Sequence, residues 1–222
     1  MRGTPKRKNG RKALTGNTFA KALLELTDSD ADLASVVETF GPPPMWQRES
    51  GFHTLLHIIL EQQVSLASAR AAYDRLLAVA SPLTPERFLE LDDAALKIAG
   101  FSRQKTSYGR GLAESIAAGR FSLSALESMD DDAARLEMIK VKGVGLWTAD
   151  IYLLMALRRP DIWPAGDLAL AIAVQSLKRL SARPTPQELI TLSEPWRPWR
   201  AVAARILWHY YLSERALRKV AR

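Results

Sequence analysis

Apolar residues recur at helical spacing along most of this chain, and the alternating pattern of a strand is almost absent. From Gly51 the run GFHTLLHIILEQQVSLASARAAYDRLLAVAS keeps a period of three to four, with a second start at Ser65, whose hydroxyl can cap a new helix. Thr84-Pro85-Glu86 opens another segment, because Thr caps well and Pro fits a first turn. Gly100 closes a short helix over Asp93 to Ala99, and Ser102 caps one that continues to Ile116. Further helices are predicted over residues 130–139, 147–157, 167–180, 186–192 and 199–219. In the last, Trp199, Val202, Ala203, Ile206 and Tyr210 fall at i, i+3, i+4, i+7 and i+11, which predicts one buried stripe. The pattern is that of an all-α protein of about ten helices, too irregular in spacing for a solenoid. Pro42-Pro43-Pro44 is the clearest internal break and separates an N-terminal helical pair from the longest helical run. Residues 1–16 read as an unstructured basic tail and residues 17–222 as one helical fold.

Composition narrows the class. A chain of 222 residues, 47% hydrophobic and 25% charged, can bury one core or two small lobes that share a cleft. With no cysteine, disulfides, Cys-ligated zinc and Cys-ligated iron–sulfur clusters are excluded by ligand chemistry. The longest apolar runs, such as Leu168 to Val174, fall far below the ~20 residues that span a bilayer. No apolar signal core follows the basic N-terminus, so the expectation is a soluble cytoplasmic protein. The net charge of +7 is concentrated: Arg2, Lys6, Arg7, Lys8, Arg11 and Lys12 supply six, leaving 25 basic against 24 acidic residues elsewhere. Such a tail has a generic affinity for polyanions, or no defined partner at all. Within the body, Glu127, Asp130, Asp131 and Asp132 crowd together, whereas residues 196–222 hold Arg197, Arg200, Arg205, Arg215, Arg218, Lys219 and Arg222 against Glu214 alone.

The strongest local signal is LEMIKVKGVGLWTADIYLLMAL, residues 136–157: a helix, a Gly-x-Gly turn and a second helix. Gly143 and Gly145 allow backbone angles that a side chain would penalise, and the turn leaves amide N–H groups free at the second helix start. A nest of this kind suits a phosphate, with Lys142 adding a cation and Thr148 a hydroxyl. A plain packing corner between two helices has the same signature. Downstream, DIWPAGD (residues 161–167) leads into LALAIAVQSL and puts Asp167 where an N-cap belongs. Capping is the ordinary role of such a residue, and a helix N-terminus also favours a carboxylate needed as an anion.

Taken together, a hairpin ending in GVGLWTAD, a Pro/Gly-rich loop and an Asp 22 positions beyond Gly145 resemble the helix-hairpin-helix DNA glycosylase superfamily. Within it the sequence is similar to the alkylation-repair branch, the 3-methyladenine DNA glycosylase II type. Supporting pieces are LHIILEQQVSLASA (56–69), GFSRQKTSY (100–108), WPAGDLAL (163–170) and WRPWRAVAARILWHYY (196–211), so the resemblance covers roughly residues 20–212.

The resemblance implies two helical lobes around a cleft and a monofunctional glycosylase acting on alkylated purines in double-stranded DNA, as a monomer with no membrane partner. Asp167 would face the glycosidic bond of a flipped-out nucleotide, stabilise the oxocarbenium ion and activate water. No second acid stands at a matching position, which favours bases that already carry positive charge. Strand-nicking members carry a nucleophilic Lys where this chain has Trp147, so no lyase activity is expected. Trp147 and Trp208 would stack the expelled base, with Ile151 in place of a third aromatic. Gln62 and Gln63 would support the pocket or mark a helix end. The DNA-binding hairpin would comprise Lys142, Gly143, Val144, Gly145 and Thr148, and Ser102 and Arg103 would fill the gap left in the duplex. The hairpin would hold a monovalent cation on the carbonyls of Ile139, Val141 and Val144, and no other cofactor is required. His53, His57 and Glu61 form an i, i+4, i+8 row that could ligate a metal, but no further ligand motif joins it. Two other readings remain: a glycosylase for neutral deaminated bases, and a non-catalytic DNA-binding protein.

Overall fold

The structure, a computed structural model, describes residues 13–220, in which twelve α-helices occur and no strand. Side-chain caps set most of the helix starts. Thr15 caps α1 (Gly16–Ser29) and Asp30 caps α2 (Ala31–Phe40). Ser65 caps α4 (Leu66–Val79), Thr84 caps α5 (Pro85–Glu90), Asp92 caps α6 (Asp93–Ala99) and Ser102 caps α7 (Arg103–Ala117). Asp130 caps α8 (Asp131–Met138), Asp167 caps α10 (Leu168–Leu177) and Thr185 caps α11 (Pro186–Ser193). In each case a hydroxyl or carboxylate accepts a backbone N–H that the helix leaves without a partner. Helices α3 (Phe52–Glu61) and α9 (Leu146–Met155) start directly after Gly51 and Gly145, and α12 (Arg200–Val220) closes the chain.

The chain ends make one lobe and the middle makes the other. Helices α1 and α2 pack on α12, which also packs on α10, while α3 packs against α4, α7 and α9, with α5 on α7 and α8 on α9. Polar bonds stitch the seam. The Arg205 guanidinium, 0% exposed, donates to the carbonyls of Met45 (2.6 Å), Ala201 (2.8 Å) and Leu154 (3.0 Å). Burial pushes Arg205 down to about 10, so it stays cationic at neutral pH. Within the middle lobe the Gly51 N–H, at the start of α3, donates to the Tyr152 hydroxyl of α9 at 3.0 Å.

Three expectations change. Over Ala201–Trp208 every residue of α12 is buried, not a single stripe, because three carbonyls satisfy the Arg205 charge on what would have been the polar face. Residues 13–16 do not belong to a tail: Leu14 is fully buried, its N–H donates to the Arg158 carbonyl at 2.8 Å, and Thr15 already caps α1. Residues 1–12 lie outside the described residues. The apolar run from Gly51 ends its first helix at Glu61, so Gln62 and Gln63 belong to the turn before α4 and not to a helix interior. No helix among the described residues is long and apolar enough to cross a membrane.

Candidate active site

The α8–turn–α9 hairpin is built around one glycine. Gly143 has φ +91, and a Cβ there would lie 2.2 Å from Cγ of Tyr108 on α7. Left-handed backbone costs a residue with a side chain about 1–2 kcal/mol before any clash, so both terms require glycine. Gly145 differs from expectation: its φ is −90 and open space surrounds the place of its Cβ. The N–H of Val144 bonds back to the Val141 carbonyl at 3.0 Å, whereas those of Gly145, Leu146 and Trp147 donate to no group among the described residues. Lys142, Gly145 and Leu146 are exposed beside them.

Thr148 faces inward. Its hydroxyl, in a residue 1% exposed, accepts from Gln62 Nε2 at 2.8 Å, and the same nitrogen donates to the Gly143 carbonyl at 2.9 Å. Thr148 is therefore a strut between α3 and the hairpin and not a phosphate donor at the surface. Gln62 ties the end of α3 to the hairpin, and Gln63 beside it is exposed with φ 57. Lys105 Nζ donates to the Leu60 carbonyl at 2.6 Å, and burial lowers its pKa. That bond sets the start of α7 beside the end of α3. Ser102 is occupied as the α7 cap through Lys105 N–H, while Arg103 is exposed and has no partner among the described residues.

At the seam, Asp167 has its own N–H on the Pro164 carbonyl (2.9 Å), which folds residues 164–167 into a turn. Its Oδ1 accepts from Leu170 N–H (2.9 Å) and from Trp208 Nε1 (3.1 Å), and its Oδ2 accepts from Trp147 Nε1 (2.8 Å). Trp147 comes from α9 and Trp208 from α12, so each lobe sends one indole to the same carboxylate. An indole N–H lies in the plane of its ring, so the carboxylate sits at the edge of both rings. Trp147 is half-buried, whereas Trp208 is only 8% exposed. Oδ2 accepts one bond and retains a lone pair for a water or a developing cation. Behind the hairpin, Asp150 pairs with Arg135 Nε at 2.7 Å, and burial pushes its carboxyl up to about 6.

A family model described as HhH-GPD superfamily base excision DNA repair protein matches residues 56–198, more than half of the chain. The chain belongs to the HhH-GPD superfamily. Among its relatives, a provisionally named DNA-3-methyladenine glycosylase of Bacillus subtilis is 28% identical over 81% of this chain and 66% of its own length. DNA-3-methyladenine glycosylase 1 of Schizosaccharomyces pombe is 26% identical over 86% of this chain and 87% of its own. The solved 3-methyladenine DNA glycosylase of S. pombe, in complex with abasic DNA, superposes with a TM-score of 0.78 at 24% identity, covering 88% of this chain and 97% of that one. A DNA-3-methyladenine glycosidase from Bacillus halodurans gives 0.71 at 27% identity, covering 88% and 91%.

Within this HhH-GPD hairpin, the carbonyls of Ile139 and Val144 accept no hydrogen bond among the described residues, and that of Val141 accepts one. Each carbonyl has two lone pairs, so all three keep acceptor capacity. The histidine row does not fit a metal. Arg48 holds Glu61 through two bonds of 2.7 and 3.2 Å, His57 stacks flat on Tyr73 at 4.2 Å, and burial lowers the His57 pKa. No group of His, Asp and Glu suited to a metal ion occurs among the described residues.

Lys105 and Tyr108, which brace the end of α3 and the hairpin, carry no signal in the sequence that marks this role. Both lie within the GFSRQKTSY segment that carried part of the resemblance, but their partners, Leu60 and Gly143, are 45 and 35 positions away.

Proposed function

We propose that this HhH-GPD protein is a monofunctional DNA glycosylase that hydrolyses the N-glycosidic bond of alkylated purines, of the 3-methyladenine and 7-methylguanine type, and leaves an abasic site. The observation that carries the reading is Asp167, held by an indole N–H from each lobe beside a hairpin with free amides. The names of the relatives support the same substrate class.

The hairpin amides and Lys142 take a backbone phosphate of the duplex. The lesion nucleotide leaves the stack and its base lies on the Trp147 ring, where a cationic purine gains about 1–2 kcal/mol from the electron-rich indole face. That base departs with the bonding electron pair and becomes neutral, so no general acid is required. Positive charge grows on the sugar at the ring edge, where Asp167 stabilises it. Water then adds at C1′ and gives its proton to the carboxylate or to solvent. With Trp147 in the place of a nucleophilic lysine, the strand stays intact.

Two exposed turns flank the hairpin. The turn after α3 presents Gln63 in left-handed backbone with Val64 and Leu66 exposed, and the start of α7 presents Arg103. Strained, exposed residues of this kind cluster at functional sites. Gln63 and Arg103 are the residues to fill the vacated place in the duplex, and Ser102 is committed to its cap. A monovalent cation on the carbonyls of Ile139, Val141 and Val144 would add positive charge to the phosphate site.

The test is Asp167→Asn on duplexes with a single 7-methylguanine or 3-methyladenine. The variant is expected to bind lesion DNA about as well as wild type and to release base at least ~100-fold more slowly, the scale of losing an electrostatic partner in a transition state. Near wild-type release would remove Asp167 from the chemistry. Equal rates on hypoxanthine and 7-methylguanine would move the substrate class to neutral bases.

A further inference from the structure

We infer that Asp30, in the N-terminal helical pair and outside the family-matched region, is a positioning residue for Asp167. The inference rests on the glycosylase reading for its consequence and on geometry for its substance. Asp30 lies between α1 and α2 and caps α2 by accepting from the N–H groups of Asp32 (3.0 Å) and Leu33 (3.2 Å). A cap needs no more than that, yet the same carboxylate accepts three further bonds from two donors in distant parts of the chain. Trp196 Nε1 donates to Oδ2 at 2.8 Å, and Lys178 Nζ donates to both oxygens at 2.9 and 3.0 Å. Burial works against the charge on Asp30, but the bonds from Trp196 and Lys178 outweigh it and hold the carboxyl below its usual range.

Both distant partners lead to the segment that carries Asp167, one from each side. Trp196, 2% exposed, packs edge-on against Trp163 with ring centroids 5.4 Å apart. Trp163 is itself buried, and its carbonyl accepts the Ala165 N–H (3.0 Å) in the turn that ends on Asp167. The Trp163 indole N–H has no hydrogen-bond partner among the described residues, so packing holds this side chain, and the Trp196 ring is part of that packing. On the other side, Lys178 is the residue that terminates α10, the helix that Asp167 begins. Ten helical residues lie between, a rigid rod of about 15 Å. Asp30 therefore braces the turn before Asp167 through Trp196 and Trp163 and, together with Asp32 (2.8 Å from Lys178 Nζ), the far end of the helix after it through Lys178.

Asp30→Asn separates this role from capping. Asn caps as well as Asp, through the side-chain oxygen, but presents an NH₂ group where two donors now meet a carboxylate oxygen. In a ¹H–¹⁵N spectrum the six tryptophans give six indole cross-peaks, and those of Trp147 and Trp208, assigned by Phe substitution, report their bonds to Asp167 directly. The expected result for D30N is displacement of the Trp147 and Trp208 peaks as well as that of Trp196. It is accompanied by single-turnover base release slowed by about tenfold, as misplacement of a reacting group does, with lesion-DNA affinity within about twofold of wild type. Trp196→Phe keeps the ring contact, removes the N–H and is expected to reproduce both effects, so it carries the test if D30N does not fold. Stationary Trp147 and Trp208 peaks, or an unchanged single-turnover rate, would overturn the inference. Absence of base release by the wild-type protein would instead overturn the glycosylase reading and leave the spectroscopic arm intact.

Discussion

Asp167 combines two duties on one side chain: Oδ1 caps α10 and Oδ2 meets the edge of Trp147. The Trp147 ring and its N–H can therefore be separated by substitution. Trp147→Phe keeps an apolar ring for stacking and deletes the donor to Oδ2, and hydrogen bonds to charged groups contribute about 1.5–3 kcal/mol. The expected outcome is kcat for 7-methylguanine release lowered by about tenfold or more with KM little changed. Trp147→Ala is expected to raise KM as well, because it removes the surface proposed to stack the base. A matching loss in KM for the Phe variant would show that the N–H serves binding and not the reacting centre. The cap position of Asp167 was legible in WPAGDLAL, since a short polar residue before an apolar helix is a local signal. Its two indole donors were not, because Trp147 and Trp208 stand 20 and 41 residues away and meet it only when the lobes close.

The hairpin is held from below by an ion pair whose members pull in opposite directions. Burial pushes Asp150 up to about 6, while Asp150, Asp132 and Asp131 together raise Arg135 against its own burial and keep it charged. The direction for Asp150 follows from its side chain lying away from water with one hydrogen bond to share the charge. Its folded pKa exceeds the unfolded value, so the folded state binds the proton more readily and stability rises as pH falls through this window. Between pH 7 and pH 5 the wild type is expected to gain about 1 kcal/mol relative to Asp150→Asn, measured by urea unfolding of both at each pH. A parallel pH dependence of the two proteins would deny Asp150 that titration. At this scale the sequence was most informative where caps are side chains: Ser65, Thr84, Ser102 and Asp130 each mark a helix start as expected. It was least informative for α12, where Arg205 mimics a solvent-facing position and is compensated by carbonyls 51 and 160 residues away.

Outside residues 1–12 the chain is nearly neutral, yet four of its helices, α4, α7, α9 and α10, begin close to one another. Lys105 joins the start of α7 to the end of α3, Gln62 joins that end and the adjoining start of α4 to the hairpin, and Trp147 joins α9 to the first residue before α10. Helix starts carry partial positive charge and unpaired N–H groups, so a surface of this kind grips phosphates with few basic side chains. Lys142→Ala and Arg103→Ala are each expected to lower the slope of log K against log salt for lesion DNA by about one, the signature of a lost phosphate contact. Lys140→Ala is expected to leave it unchanged, because Lys140 already pairs with Glu137. Removal of residues 1–12 should flatten the slope while sparing single-turnover release, and an unaltered slope would show that this segment does not touch phosphate. The tie between Asp167 and two indoles has an optical meaning too. The carboxylate at the centre of the site is wired to two of the six fluorophores the chain already owns. On the proposed function, a purine laid on Trp147 would quench light emitted beside the bond to be cut, so the arrival of a base could be timed in unlabelled protein and separated from the breaking of that bond.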